Sequence, residues 1–233
     1  MKRFFGKLKS FTRNQRLLQK DIYSNQLMIN LASMGKYFPV TGSSLNMHSL
    51  ATILNDVVVN QRKQIVEFGA GLSTLYFARL IHSLNLETRL ISVDDNQGWL
   101  DLMKHRLEDE NLSEYVQFVF GPLKPCTHAK NKLHWYDENA VTEALSNCPR
   151  KLDSVLVDGP MAYEKSKGLA RYPALPVVSP YLDEKCAIFL DDMHREGEQT
   201  ICKEWSKQHQ IEFRKVNPVF SLGQRGQGYN PVV

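Results

Sequence analysis

Short apolar runs alternate with stretches of helical periodicity along most of this chain, and that alternation admits few folds. Strands are predicted at 64–68, 89–93, 115–120, 152–157 and 186–190, and helices at 72–84, 98–108, 173–182 and 196–208. A long loop follows the third strand. Ahead of the series, residues 44–61 form an amphipathic helix with Leu45, Leu50, Ile53, Leu54 and Val57 on one side. A further strand at 211–216 is followed by a glycine-containing tail through Tyr229 that can supply a last, antiparallel strand. Strands joined through helices make right-handed crossovers. The expected fold is therefore α/β, a doubly wound, mostly parallel seven-stranded sheet with helices on both faces. In such sheets ligands gather at the carboxyl ends of the strands. Residues 1–40 are expected to be a basic helical extension and 41–233 the α/β domain.

The 233 residues are ordinary in composition, 42% hydrophobic and 23% charged, which excludes disorder as the default state. No apolar run approaches the roughly 20 residues needed to span a bilayer, and no secretory signal opens the chain. The four cysteines, Cys126, Cys148, Cys186 and Cys202, form no C-x-x-C pair and read as free thiols of a reducing compartment. The protein is expected in the cytoplasm. Its formal charge of +4 is unevenly spread, since Lys2, Arg3, Lys7, Lys9, Arg13, Arg16 and Lys20 all precede the first acid, Asp21. Phe4, Leu8, Phe11 and Leu18 recur among them at helical intervals, so residues 1–20 suit a peripheral contact with an anionic membrane surface as well as a solvated tail. Basic residues confined to an extension, without aromatic platforms, argue against a nucleic-acid partner.

The first site candidate is the run Val66-Glu67-Phe68-Gly69-Ala70-Gly71-Leu72-Ser73-Thr74 between strand and helix. Glycines at such a turn let backbone approach a ligand where a Cβ would collide, and the helix start, at Ser73 and Thr74, offers unpaired N–H groups. Some twenty residues on, the second strand ends in Asp94-Asp95-Asn96, where an acid can accept hydrogen bonds from both hydroxyls of a ribose. Asp95 or Asn96 would then cap the next helix. A nicotinamide dinucleotide prefers a third glycine where this chain has Thr74, which argues against an NAD(P)-dependent oxidoreductase. A non-catalytic binding module is the other alternative.

With Glu67 two residues before the first glycine, the turn reads E-x-G-x-G and resembles the first motif of class I S-adenosylmethionine methyltransferases, which are Rossmann-like. The resemblance extends over residues 60–205 through Ser92-Val-Asp94, Gly121-Pro-Leu-Lys124, His134-Trp-Tyr-Asp137, Leu156-Val-Asp-Gly-Pro160, Arg171-Tyr-Pro-Ala-Leu175 and Phe189-Leu-Asp-Asp192. It is similar to a methyltransferase group met beside glycan-assembly enzymes. It implies that Glu67, Gly69 and Gly71 line the methionine and sugar part of the cofactor, that Asp94 holds the ribose, and that Gly121, Pro122 and Leu123 border the adenine. Relatives often carry glutamate at the ribose position, so Asp94 and Asp95 both stay candidates.

Methyl transfer from a sulfonium is an in-line displacement that asks for alignment and, with a hydroxyl acceptor, for a base. Asp158, Asp191 and Asp192 end neighbouring predicted strands, with His194 close behind as a further candidate base. Asp158 also borders the expected cofactor site. Converging carboxylates repel unless a cation or protons intervene, and Mg²⁺ prefers oxygen ligands, so Asp158, Asp191 and Asp192 are also a candidate metal set, similar to that of metal-dependent O-methyltransferases. The same aspartates suit a turn and a helix cap. The loop 161–172, with Tyr163, Lys165, Lys167, Arg171 and Tyr172, is expected over the crevice, where it suits a polar small-molecule or carbohydrate acceptor. Trp135 and Tyr136 suit the core or the acceptor wall.

Overall fold

The computed structural model describes residues 2–233, with side chains described from residue 15 onward. The chain opens with helices α1 (Lys2–Leu27), α2 (Ile29–Ser33) and α3 (Met47–Val59). There follow β1 (Gln64–Phe68), α4 (Leu72–Ser83), β2 (Arg89–Asp94), α5 (Gln97–Asp109) and β3 (Val116–Phe120). The stretch expected as loop holds a small hairpin, β4 (Lys124–Pro125) with β5 (His134–Trp135), and a helix, α6 (Glu138–Ser146), capped by the Asp137 carboxylate. Then come β6 (Leu152–Val157), α7 (Ala174–Val178), β7 (Leu182–Leu190), α8 (Glu196–His209), β8 (Glu212–Asn217) and β9 (Phe220–Arg225).

The main sheet has seven strands in the order β3-β2-β1-β6-β7-β9-β8. The first five are parallel, and β9 enters antiparallel between β7 and the edge strand β8. The expected fold class holds. One boundary is corrected: the helix expected at 173–182 stops at Val178, and the strand expected from 186 begins at Leu182. Pro180 lacks an N–H and tightens Ser179–Tyr181 into a 3₁₀ turn, which releases the chain early into the sheet.

Strand alternation sends the two faces of the sheet to different helices. Val66, Phe68, Ile91, Val155, Val157, Ile188 and Leu190 pack on one side with Leu145 of α6, Leu175 of α7 and Ile201 and Trp205 of α8. Ile65, Leu90, Leu156, Ala187, Phe189 and Leu222 pack on the other with Leu50, Ile53, Leu54 and Val57 of α3 and Tyr76 and Phe77 of α4. No helix among the described residues is long and apolar enough to cross a membrane.

Residues 28–45 are bound into this core. Met28 and Leu45 are buried with α3 and α4, and Arg79 of α4, itself buried, donates to the carbonyls of Leu31, Ala32 and Lys36. Glu110 compensates Arg79 at 2.8 Å and also pairs with Arg106 at 3.0 Å. In α1, Leu17, Asp21 and Ser24 turn inward while Leu18, Ile22 and Tyr23 are exposed. The face expected from Phe4, Leu8 and Phe11 lies outside the described side chains.

Removing one partner of a buried ion pair strands the other charge. Glu110→Ala should therefore cost about 3 kcal/mol of unfolding free energy, read as a lowered urea midpoint at unchanged slope.

Candidate active site

The carboxyl ends of β1, β2 and β6 open into one cavity of about 560 Å³. Gly69, Ala70, Gly71, Leu72 and Ser73 form its floor, Asp94, Asp95, Asn96 and Trp99 one wall, and Tyr136, Asp158, Gly159, Pro160 and Met161 another. Phe38, Pro39, Thr41, Ser43, Ser44 and Leu45, between α2 and α3, close the remaining side.

The glycine turn is required by space. Gly69 has φ +100°, and a Cβ there would lie 3.2 Å from the backbone of Asp158 and Gly159, so β1 and β6 can approach only without a side chain. A Cβ on Gly71 would meet nothing within 4 Å, so the space over this residue belongs to the cavity. Of the residues expected to hold the cofactor, Gly69, Gly71, Ser73, Asp94, Asp95 and Asp158 line the cavity.

Glu67 is corrected from a lining residue to a buried support. Side-chain alternation turns it away from the opening and under the turn, where the hydroxyls of Ser73 and Ser92 donate to it at 2.8 and 2.7 Å and that of Thr74 also donates. Thr74 is equally buried, and its Oγ accepts from the Gly71 amide at 2.9 Å. Burial pushes the Glu67 carboxyl up to about 7 against these three hydroxyls.

Asp94 accepts from the amides of Ala70 at 3.0 Å and Asn96 at 2.9 Å, which ties the end of β2 to the glycine turn. Burial raises its pKa. Asp95 is exposed at the rim, and Asn96 is the cap of α5, accepting from the Trp99 amide at 3.1 Å. Trp99, unremarked in the sequence, donates from its indole to the Ala70 carbonyl at 2.8 Å. Gly121, Pro122 and Leu123 are not among the lining residues. The Gly121 amide donates to the Asp94 carbonyl at 2.9 Å, and a Cβ there would press on Tyr136 at 3.1 Å, so Gly121 packs beneath the wall while Leu123 is exposed.

Asp158, Asp191 and Asp192 do converge, each offering an oxygen within 4.8 Å of the others. Asp158 alone of the three lines the cavity. Burial raises its pKa well above the usual carboxylate range, with Asp191 adding to the shift, and pushes Asp191 up to about 6. His194 is half exposed, 3.9 Å from Asp192, and is not a lining residue.

Arg171 is corrected most. Expected in a loop over the crevice, it is buried beneath the cluster, donating to the carbonyls of Pro160 at 3.1 Å and Asp158 at 2.6 Å. Its guanidinium stands 3.0 Å from Asp192 and 3.5 Å from the Asp158 carboxylate, and Arg195 reaches the same Asp192 oxygen at 2.9 Å. Tyr172 is likewise buried, whereas Tyr163, Lys165 and Lys167 are exposed. Trp135 fills the core, while Tyr136, stacked on Phe68 at 5.7 Å, also reaches the cavity.

Two guanidiniums thus stand beside the oxygens that a divalent ion would use. A hard cation needs oxygens free to bind at about 2.1 Å, and the Asp192 oxygen is already shared by two guanidiniums. Asp191 keeps one unpartnered oxygen, but that atom is buried away from the cavity. The three aspartates bring their oxygens together, with two arginines standing against one of them. For an adenosyl cofactor the fit is good, with an open cradle over Gly71, exposed backbone at a helix start and an acid at the neighbouring strand end.

Comparison with known proteins agrees. The Podospora anserina methyltransferase PaMTH1, bound to SAH, superposes with a TM-score of 0.59 at 11% identity, over 91% of this chain and 96% of that one. The O-methyltransferase TomG of Streptomyces achromogenes, involved in tomaymycin synthesis and bound to SAM, gives 0.58 at 13% identity, over 89% and 96%. An O-methyltransferase of Bacillus cereus in complex with SAH gives 0.55 at 14%, over 89% and 91%. At such identities the likeness establishes the fold. No curated protein sequence matches. Residues 66–193, from the glycine turn to the end of the aspartate cluster, match the family model described as a methyltransferase domain, and the chain belongs to that family, on the class I methyltransferase fold.

Proposed function

We propose that this protein is an S-adenosylmethionine-dependent O-methyltransferase whose acceptor is a small polar molecule, a carbohydrate hydroxyl being the form that suits the cavity best. One observation carries the reading. The glycine turn, Asp94 and Asp158 face a single hollow, so a cofactor cradle and a candidate base share one space.

The bound cofactor supplies an electrophilic methyl group on a sulfonium. The chain supplies position and proton transfer. Backbone N–H groups at the start of α4 and the open space over Gly71 accommodate the cofactor's polar end. Asp94 is the ribose acceptor, because both of its oxygens are already oriented by backbone amides, and Asp95 at the rim assists. Asp158 is the base, since it alone among Asp158, Asp191 and His194 reaches the cavity. Asp191 lies behind it and modulates its charge.

The acceptor side supports the carbohydrate assignment. Thr41, Ser43 and Ser44 line the same cavity as Asp158, Phe38 and Met161, so polar and apolar residues share its wall, and a sugar presents both hydroxyls and C–H faces.

The extension suits an anionic membrane surface, which would hold the enzyme peripherally. Seven basic residues precede the first acid, and Leu18 and Ile22, one helical turn apart on α1, are 61% and 52% exposed. The full chain should co-sediment with phosphatidylglycerol vesicles at low salt, not with phosphatidylcholine vesicles. Replacing Leu18 and Ile22 together by Glu should abolish the binding, and unchanged sedimentation would refute this part.

Isothermal titration should show S-adenosylhomocysteine binding to the purified protein, weakened about tenfold to a hundredfold by Asp94→Ala as charge-assisted hydrogen bonds are lost. Absence of any binding by the intact chain would overturn the assignment. Gly71→Val should melt like the wild type, because its side chain meets open space, yet lose that binding. The raised Glu67 pKa binds a proton in the folded state that the unfolded chain has already lost. Its share of stability is therefore present below pH 4.5 and falls away up to about pH 7. Glu67→Gln should remove that slope, on the order of 3 kcal/mol between these limits, in urea titrations at pH 5 and 8.

A further inference from the structure

We propose that Arg171, seconded by Arg195, is the built-in cation of the Asp158–Asp191–Asp192 cluster, a positioning residue that holds Asp158 at the cavity wall and leaves the cluster without a divalent-ion site. The inference concerns how the acids are compensated and goes beyond the assignment of cofactor and acceptor.

Arg171 is buried, and its guanidinium divides between backbone carbonyls, to which it donates hydrogen bonds, and carboxylates, with which it forms ion pairs. Nε and Nη2 donate to the carbonyls of Pro160 and Asp158, which fixes the backbone that follows β6. Nη1 lies against Asp192 after β7, at 3.0 Å, and 4.0 Å from Glu198 in α8. One planar, five-donor fork therefore joins two strand ends and a helix start, which a spherical ammonium cannot do. Arg195 closes the arrangement, 2.9 Å from Asp192 and 3.6 Å from Glu198.

Glu198 shows that the arrangement is built around the two cations. It is wholly buried, neither of its oxygens has a hydrogen-bond partner, and what it faces is the two guanidiniums. A carboxylate in that position is compensated only while both arginines stay charged and in place. Asp192 itself stands in the left-handed region, at φ +61°, with both guanidiniums against one of its oxygens. A divalent ion bound through Asp158 and Asp192 would stand beside these two positive groups in a buried site and would have to displace them.

The test is a titration of the full-length protein with Mn²⁺, followed by the electron paramagnetic resonance signal of the free ion. The wild type should show no saturable site, and Asp192→Asn should titrate identically. Arg171→Met should melt at a lower temperature and gain Mn²⁺ binding at least about tenfold tighter than the wild type, because the freed carboxylates then need a cation. A merely structural arginine would lower the melting temperature without the gain. Uptake of one Mn²⁺ per wild-type chain, displaced by Mg²⁺ and lost in Asp192→Asn, would overturn the proposal, as would a folded Arg171→Met that gains no site. Should that variant not fold, the comparison of wild type with Asp192→Asn decides alone.

Discussion

The site depends on the parallel ladder continuing one residue beyond each strand. The Gly121 amide bonds the Asp94 carbonyl, that of Gly69 bonds Val93, that of Asp158 bonds Phe68 and that of Asp191 bonds Val157, all between 2.8 and 3.1 Å. Parallel hydrogen bonds are evenly spaced, so this register sets Asp94, the glycine turn, Asp158 and Asp191 in a row across the sheet. Everything the chemistry needs is delivered by backbone geometry before a side chain is chosen. Gly69 is the condition for it, because any Cβ there would push β1 away from the turn after β6.

Side chains then convert the row into two kinds of ground. On the cofactor side, hydroxyls of Ser73, Thr74 and Ser92 surround Glu67 and lock the turn from below, while Asp94 locks it from the side. Neither acid is neutralised by a cation, so burial raises both pKa values. On the acceptor side the charge is handled by arginines. Arg171 stands 3.5 Å from the Asp158 carboxylate, and Arg171 and Arg195 both stand against one oxygen of Asp192. The same device serves the amino-terminal segment, where Arg79 and Glu110 bind the chain that carries Phe38 to the cavity rim, and Phe38 packs against Trp99 with 6.3 Å between ring centres.

Much of this was legible in residue order. The strand-turn-helix at residues 64–84, the acid ending the second strand and the aspartates ending β6 and β7 rest on local periodicity and on turn residues, and they reappear in place. What was misread shares one cause. Glu67 and Thr74 flank lining residues in sequence, but alternation and close packing turn them beneath the surface. Arg171 and Tyr172 follow an exposed, charged loop and carry no local mark of burial. Thr41, Ser43 and Ser44, at the start of the expected domain, line the cavity but belong to no motif.

Sequence alone determined the order of elements, the parallel sheet and the presence of a nucleoside-type cradle, because these follow from periods of 2 and 3.6 residues and from glycine at a turn that tolerates nothing larger. Tertiary structure decided which acid faces the cavity, what compensates the others and which distant segment completes the wall. Ion pairing joins Arg171 to Asp192 and Glu198 and Arg79 to Glu110, and Arg79 also donates to the Lys36 carbonyl, across separations that no local pattern spans. Whether a charge is solvated or enclosed is settled only when those partners arrive.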